Sequence, residues 1–256
     1  MPKTAGQSLT NGSDNRAAVH LTLQGKGGVG KSLIASVLAQ YLREIGRDVR
    51  CIDTDPVNRT LAQYSALGAD RLNLRDEHNR IDQRSFDTLM ERFLTEDGTT
   101  FVVDNGASTF LPLWHYLLEN SALDYLRQHE RRVYVHTVIT GGQALVDTLN
   151  GFNELAQTTQ ERNIVVWVNE YFGRVEAEGK KFSEMAAYRD NAEKVCGAVI
   201  FTKRNQDTFG RDVEEMISAK LTFQEAITTA RNTIMAKQRL KLVQRDLFEQ
   251  LDRLAF

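Results

Sequence analysis

The chain has 256 residues, of which 41% are hydrophobic and 26% charged, which is enough to bury the core of one sizeable domain. Its formal net charge of -2 excludes a global attraction to nucleic acid or to an anionic membrane, so any such contact must come from a local patch. Two cysteines are too few for a disulfide framework or a cysteine metal clip, and no run approaches the roughly 18 apolar residues of a membrane span, so we expect a cytoplasmic protein without membrane insertion.

In chain order, a polar segment comes first and an alternation of strands and helices follows. Residues 1–17 lack an apolar core and are predicted to be a disordered leader, and residues 18–256 are predicted to be one domain. Apolar, β-rich runs predict strands over 19–24, 49–53, 100–104, 132–140, 164–169 and 197–201. Helical periodicity predicts helices over 31–45, 57–66, 84–94, 112–129, 142–159, 178–194 and 207–219, with one or two more after 222. This pattern is typical of an α/β fold, a three-layer, mostly parallel and doubly wound sheet.

The first predicted strand leads into a glycine-rich loop and an amphipathic helix, which is the context of a Walker A motif. Gly25 and the run Gly30, Lys31, Ser32 satisfy G-x-x-x-x-G-K-[ST]. In such a loop the backbone N–H groups converge on phosphates, Lys31 reaches the β- and γ-phosphates, and Ser32 offers its hydroxyl to Mg²⁺. The predicted nucleotide-binding residues of the loop are Gly25, Lys26, Gly27, Gly28, Val29, Gly30, Lys31, Ser32 and Leu33.

Carboxylates follow two of the other predicted strands. Asp53 and Asp55 lie two positions apart in CIDTDPVN and would share a side if the chain stays extended. Asp104 ends the run TFVVD, which has Walker B form, and can reach Mg²⁺ through water. Gly106 leaves its backbone N–H free to approach the γ-phosphate. Because Pro56 follows Asp55, a helix N-cap is an alternative role for that carboxylate.

Asn169 ends the buried run IVVWVN. Its amide can donate and accept in one plane, which suits the N6/N7 edge of adenine, whereas a turn asparagine is the alternative. No guanine-recognition motif of the form Asn/Thr-Lys-x-Asp occurs, so ATP is preferred to GTP.

Lys26 is a second lysine in the loop, and it would repel Lys31 unless a ligand or a partner uses its charge. The run KGGVGKS resembles the deviant Walker A family, which includes the ParA-type partition ATPases, the Min-system ATPase and the nitrogenase iron protein. The resemblance implies a homodimer formed on ATP binding, in which Lys26 reaches the phosphates of the other subunit; a solvated lysine is the alternative. It also implies that Asp53 supports the Mg²⁺ shell, that Asp55 orients the attacking water or acts as base, and that Asn169 reads adenine.

Further segments resemble a narrower group, the TraL-type proteins of conjugative plasmids. They are CIDTDPVN, DNGAS, HTVITGGQAL, VVWVNEYFG, TFGRD and QRLKLV followed by LFEQLD. Relatives often carry proline after the Walker B aspartate, where this chain has Asn105, so the contacts of that loop stay open. The resemblance implies a Mg²⁺-dependent ATPase switch in conjugative plasmid DNA transfer, with a protein of the transfer machinery as partner.

The segment 231–245 carries five positive residues and no acidic one. We call it the basic strip. It could contact DNA non-specifically, as in a ParA-like partition or positioning protein, or it could be the solvated face of a docked helix. A nucleotide-binding scaffold that does not hydrolyse ATP is a further alternative. A membrane anchor is disfavoured because Asp246, Glu249 and Asp252 follow the strip.

Overall fold

The computed structural model of the protein describes residues 17–78, 80–254 and 256, and at Phe172 only the backbone. The predicted disordered leader therefore lies outside the described residues, except for Ala17.

A parallel sheet forms the centre of the described chain. The strands are β1 (Ala18–Thr22), β2 (Val49–Asp53), β3 (Asp70–Arg71), β4 (Thr100–Asp104), β5 (Arg132–Thr140), β6 (Ile164–Asn169), β7 (Glu176–Ala177), β8 (Lys180–Lys181) and β9 (Val195–Phe201). Seven of them form one sheet in the order β3-β2-β4-β1-β5-β6-β9, and every pair in it is parallel. The strands β7 and β8 form a separate antiparallel hairpin. Every strand predicted from the apolar runs is present in the larger sheet.

Helices cover both faces of this sheet. They are α1 (Lys31–Glu44), α2 (Ser85–Thr95), α3 (Phe110–Glu119), α4 (Ala122–Gln128), α5 (Leu145–Thr158), α6 (Ala186–Arg189), α7 (Arg211–Ser218), α8 (Phe223–Thr228) and α9 (Ile234–Asp252). One apolar core joins the sheet to α2–α6, and a second core joins the opposite face to α1 and α7–α9. This arrangement confirms the predicted doubly wound α/β class. Among the described helices, none is both long and apolar enough to cross a bilayer.

The carboxyl ends of the central strands meet at one edge of the sheet. Asp104 at the end of β4 is in register with Thr22 of β1 on one side and with Asp53 of β2 on the other. The glycine-rich loop leaves β1 at this edge, and Asn169 at the end of β6 pairs with Thr140 of β5. Parallel strands therefore bring residues from distant parts of the sequence to one edge, where ligands bind in open α/β sheets.

The helix predicted over 57–66 is wrong. This segment instead forms two short 3₁₀ turns, Leu61–Gln63 and Ser65–Leu67. The N–H of Ala62 donates to Asp53 Oδ2 at 2.9 Å, so the carboxylate takes the donor that would close a helical turn there.

Two other predicted helices differ from the structure. The segment 112–129 is divided into α3 and α4 at Ser121, whose left-handed backbone (φ 49°) breaks the helix. The segment 178–194 begins with a hairpin turn in which Glu178 and Gly179 have φ of 50° and 75°, so only the four-residue α6 is α-helical there.

Candidate nucleotide-binding site

The glycine-rich loop, residues 25–32, takes its shape from backbone conformations that favour glycine. Gly28 has φ of 75°, and Gly30, which precedes α1, has φ of 106°. A Cβ atom on Gly30 would also lie 2.9 Å from Asn169 Nδ2. The turn into α1 therefore requires glycine at position 30 for both conformation and space.

A cleft of about 510 Å³ opens beside this loop at the carboxyl edge of the sheet. Asp55 and Asn169 line it, and α7 contributes Glu214, Ile217 and Ser218 to the lining. Its volume lies in the range of small-molecule sites. The residues of the loop and of the start of α1 that line the cleft are Gly27, Gly28, Gly30, Lys31, Ser32 and Leu33.

Lys31 is buried at the start of α1, and its ammonium group lies back over the loop. Nζ donates to the carbonyl oxygen of Lys26 at 3.0 Å. Burial lowers the pKa of Lys31, whereas the negative charges of Asp104 and Asp55 raise it. The buried ammonium therefore already lies within the loop that would surround a phosphate.

Asp104 has an unfavourable environment for a charged carboxylate. It is 1% exposed, and burial raises its pKa to about 7, although the hydroxyl of Ser32 beside it and the charge of Lys31 oppose the rise. Thr22 Oγ1 donates to Oδ1 at 3.2 Å, while Oδ2 has no hydrogen-bond partner of acceptable geometry in the described part of the chain. A buried carboxylate oxygen without a donor is costly, and a divalent cation removes that cost. Asp104 and Ser32 therefore fit a Mg²⁺ site.

Asp53 is also buried, but both of its oxygens accept backbone hydrogen bonds. The N–H of Asp55 donates to Oδ1 at 3.0 Å and the N–H of Ala62 donates to Oδ2 at 2.9 Å. Burial raises the pKa of Asp53, and these N–H donors oppose the rise. Through these two hydrogen bonds Asp53, which lies next to Asp104 in the sheet, holds the segment after β2 in place. Its predicted support of the Mg²⁺ shell stays a prediction.

Asp55 is half-buried and faces the cleft. Its Oδ1 accepts from the N–H groups of Val57 at 2.8 Å and Asn58 at 3.2 Å, so the carboxylate does organise the turn that follows it. A Cβ atom on Gly106 would lie 3.0 Å from Asp55 Cγ, so the glycine allows the segment after β4 to pack against this carboxylate. The turn occupies Oδ1 more fully than Oδ2, whose hydrogen bond is a 3.3 Å contact from Asn58 Nδ2.

Asn169 supports the loop in this structure. Its Nδ2 donates to the carbonyl oxygen of Val29 at 2.9 Å, and its Oδ1 accepts from the N–H of Tyr171 at 3.1 Å. These contacts match the turn role that was the alternative interpretation of Asn169. Its predicted contact with adenine stays a prediction.

Lys26 precedes Gly27, a residue of the cleft lining, and its own side chain is 45% exposed. Nζ forms an ion pair of 2.8 Å with Oδ2 of Asp147, in the first turn of α5. In the single subunit, Lys26 therefore pairs with a carboxylate of its own chain. Its predicted contact with the phosphates of another subunit stays a prediction.

Sequence reasoning missed two buried polar residues of the site. Asn105 Oδ1 accepts from the hydroxyls of Thr54 at 3.0 Å and Thr109 at 2.8 Å, which ties together the segments after β2 and β4. Gln24 bridges β1 to α5. The available signal was a polar residue at or just after the end of each apolar run, but the partner of Gln24 in α5, Thr148, is 124 positions away in the sequence.

Comparisons with known proteins agree with this geometry. A family model described as the CobQ/CobB/MinD/ParA nucleotide binding domain matches residues 21–227. Two Escherichia coli proteins named Protein TraL are 48% and 46% identical, over 92% and 93% of this chain and 98% and 99% of their own.

Solved structures with a similar fold include MinD from Pyrococcus horikoshii, complexed with Mg-ADP, which has a TM-score of 0.53 at 14% identity and covers 93% of this chain and 97% of its own. A putative plasmid partition protein from Borrelia burgdorferi, bound to AMPPNP, has a TM-score of 0.53 at 15% identity and covers 93% and 99%. The family and TraL matches confirm the resemblances predicted from the loop and the later segments, and the solved structures confirm the fold.

Proposed function

Because this chain belongs to the CobQ/CobB/MinD/ParA nucleotide-binding family and is a close relative of the TraL proteins, we propose that it is a Mg²⁺-dependent ATPase switch in conjugative plasmid DNA transfer. ATP favours a dimer with the nucleotides between two subunits, and hydrolysis releases it. The ATP state recruits a protein of the transfer machinery in the cytoplasm. The observation that carries this proposal is that Lys31, Ser32 and Asp55 line one cleft, with the buried Asp104 beside Lys31 and Ser32. Lys26 is exposed in the same glycine-rich loop.

The loop and Lys31 bind the phosphates of ATP. Backbone N–H groups of residues 27–32 face the ligand, and the N-terminus of α1 adds partial positive charge. Phosphate oxygens replace the Lys26 carbonyl as the acceptor for Lys31 Nζ, which exchanges a neutral acceptor for a charged one. Asn169 contributes from the base side of the cleft, as the proposed adenine contact.

Ser32 and Asp104 would hold Mg²⁺, with Asp53 in support. The metal would supply positive charge against the β- and γ-phosphates. Asp104 must be ionised to act as a ligand, and its raised pKa makes this step sensitive to pH near neutrality.

Asp55 orients the water that attacks the γ-phosphate. Oδ1 holds the turn after β2, which leaves Oδ2 as the oxygen that can accept a hydrogen bond from water. Gly106, packed against Asp55, offers its backbone N–H near the same place.

Lys26 completes the site of the second subunit. To do so it must leave Asp147, and an exposed ion pair of this kind contributes only about 0–1 kcal/mol. The charge of two phosphate groups is a stronger attraction for the ammonium, so ATP in a facing subunit draws Lys26 across the interface.

DNA binding in the ATP state is a second candidate function. Within the described residues, Lys237 and Lys241 of the basic strip have no ion-pair partner, so their charges are available to phosphates. Arg239 of the same strip pairs with Asp212 instead. A non-hydrolysing scaffold is a third candidate, favoured if turnover stays at background with partners present.

The test of the ATPase proposal is phosphate release by the wild type, Asp55→Ala and Asp55→Asn. The Asn variant keeps the oxygen that accepts from Val57 and Asn58, so it preserves the turn while removing the carboxylate. We expect both variants to bind ATP and to hydrolyse it about 100-fold more slowly than the wild type. If Asp55→Asn hydrolyses ATP at the wild-type rate, Asp55 serves the turn alone and its proposed role in catalysis is wrong. Lys31→Ala, which should lose nucleotide binding itself, is the control for contaminating activity.

A further inference from the structure

Gln24 is a fully buried polar side chain directly before the glycine-rich loop. Its Nε2 group donates to the carbonyl oxygens of Val138 and Thr148, each at 3.0 Å, and lies 3.3 Å from the hydroxyl of Thr137. Val138 belongs to β5 and Thr148 to α5, so one side chain connects the end of β1 to a neighbouring strand and helix. A buried amide whose donors are satisfied in this way is held in one orientation.

The other end of the same amide contacts the loop. Gln24 Oε1 accepts from the backbone N–H of Lys26 at 3.4 Å. The backbone of Lys26 is thereby connected to α5 through a single buried side chain.

Gly151 provides the space for this amide. A Cβ atom on Gly151 would lie 2.1 Å from Gln24 Oε1 and 2.9 Å from its Nε2. Glycine inside a helix is less favourable than alanine by about 1 kcal/mol. The space that Gly151 leaves for the Gln24 side chain explains why a glycine stands in the middle of α5.

The side chain of Lys26 also ends on α5. Its ion-pair partner Asp147 immediately precedes Thr148, whose carbonyl accepts from Gln24. The first two turns of α5 therefore hold Lys26 at two points: the backbone through Gln24 and the ammonium group through Asp147.

We propose that Gln24, seated against Gly151, is the positioning residue for Lys26. It fixes the loop backbone so that the Lys26 side chain stands exposed on the surface next to the cleft residue Gly27, where a second subunit can receive it. The part of this inference that concerns the second subunit rests on the proposed ATP-dependent dimer. Asp147 pairs with the ammonium group of Lys26 in the single subunit. A partner that contacts the surface of α5 would act on the loop through this helix.

The first test compares Gln24→Met with the wild type in the absence of nucleotide. Methionine keeps the length of the side chain and removes its hydrogen bonds. We expect the NMR order parameter of the Lys26 amide to fall from about 0.85 to below about 0.6 in the variant. The matched control is Gln250→Met, because Gln250 bridges the N–H and C=O of Ile200 far from the loop and its loss should leave Lys26 unchanged. An unchanged order parameter in Gln24→Met would overturn the proposal.

The second test uses Gly151→Ala, which should displace Gln24 without altering it. We expect the single variant to mobilise Lys26 as Gln24→Met does. In the double variant Gln24→Ala/Gly151→Ala the steric conflict is absent, so the Lys26 order parameter should equal that of Gln24→Ala alone. Additive losses in the double variant would contradict a common route through this contact.

Dimerisation with ATP then separates this proposal from the proposed function. We expect Gln24→Met to bind ATP within about threefold of the wild type but to dimerise about tenfold more weakly, as loss of one or two hydrogen bonds would give. Wild-type dimerisation in Gln24→Met with a mobile Lys26 would refute the positioning role. If the wild type itself stays monomeric, the dimer in the proposed function fails, while the order parameters still decide whether Gln24 positions Lys26.

Discussion

Asp104 combines deep burial with an oxygen that lacks a donor in the described chain, and this has a consequence for stability. Its folded-state pKa of about 7 lies above the ordinary value of 3.8, so the folded protein binds this proton more tightly than the unfolded chain does. The free energy of unfolding therefore decreases as the pH rises from about 4 to about 7, as the cost of ionising Asp104 in the fold grows.

We expect Asp104→Asn to remove this dependence. Without Mg²⁺, the free energy of unfolding of the wild type should decrease relative to that of the variant by about 2 kcal/mol between pH 5 and pH 8. Urea unfolding at the two pH values measures it. Adding Mg²⁺ at pH 8 should restore stability to the wild type and leave the variant unaffected. If the free energies of unfolding of the two proteins change equally with pH, the buried carboxyl group of Asp104 is not the source of the pH dependence.

At the scale of residues, the sequence predicted a role for a side chain only where the residues that act together are close in the chain. The placement of Lys31, Ser32 and the three aspartates at this edge of the sheet was predictable because each one stands in a short motif next to a strand or helix. The role of Gln24 was not predictable because its partners lie in β5 and α5, and that of Asn105 was not because Thr54 lies in the segment after β2. No local pattern indicates which buried polar side chain will be satisfied. The helix N-cap predicted as the alternative role of Asp55 is wrong, because no helix begins at Pro56; the carboxylate instead accepts from Val57 and Asn58 in a turn.

At the scale of elements, near-continuous apolar runs predicted the long strands, because a strand buried on both faces has few other compositions. The two-residue β3 carries no such run and was missed. Helix prediction failed where one residue decides the path: the left-handed backbone at Ser121 and at the turn of Glu178 and Gly179 interrupts otherwise helical periodicity. Tertiary contacts such as the one from Ala62 to Asp53 are equally invisible to periodicity.

The long helix α9 shows that the basic strip serves two purposes. Its inward face buries Leu240, Leu247 and Leu251 in the second core. Arg239 donates to both oxygens of Asp212 in α7, whose side chain is only 10% exposed, whereas Lys241 is exposed. Arg239 thus joins two helices, and Lys241 offers its charge to solvent.

We therefore expect Arg239→Gln to lower the melting temperature by a few degrees and Lys241→Gln to leave it nearly unchanged. Each variant removes one positive charge from the strip, so the pair is matched for electrostatics at long range. Differential scanning calorimetry at neutral pH is the measurement. Equal melting temperatures would mean that the contact with Asp212 adds nothing to stability. If the protein binds DNA, Lys241→Gln should weaken that binding and reduce its dependence on salt concentration, although the melting temperature stays nearly unchanged.

At the scale of the whole molecule, the glycine-rich loop lies on the exposed surface. Residues 25–28 are exposed, and so are three apolar side chains in the segments that follow β2, β4 and β5: Val57, Leu111 and Val146. A surface that exposes both the glycine-rich loop and apolar side chains is suited to being covered by another surface. A second copy of this chain would bring its own Lys26 to that place, which is the core of the proposed switch.

The most direct test is sedimentation velocity of the wild type, Lys26→Ala and Asp55→Asn, each with Mg²⁺ and either ADP or ATP. We expect all three to be monomers with ADP. With ATP, Asp55→Asn should accumulate as a dimer because it binds ATP without hydrolysing it, and Lys26→Ala should stay monomeric although it still binds the nucleotide. A Lys26→Ala protein that forms ATP-dependent dimers like those of the wild type would contradict the two-subunit site.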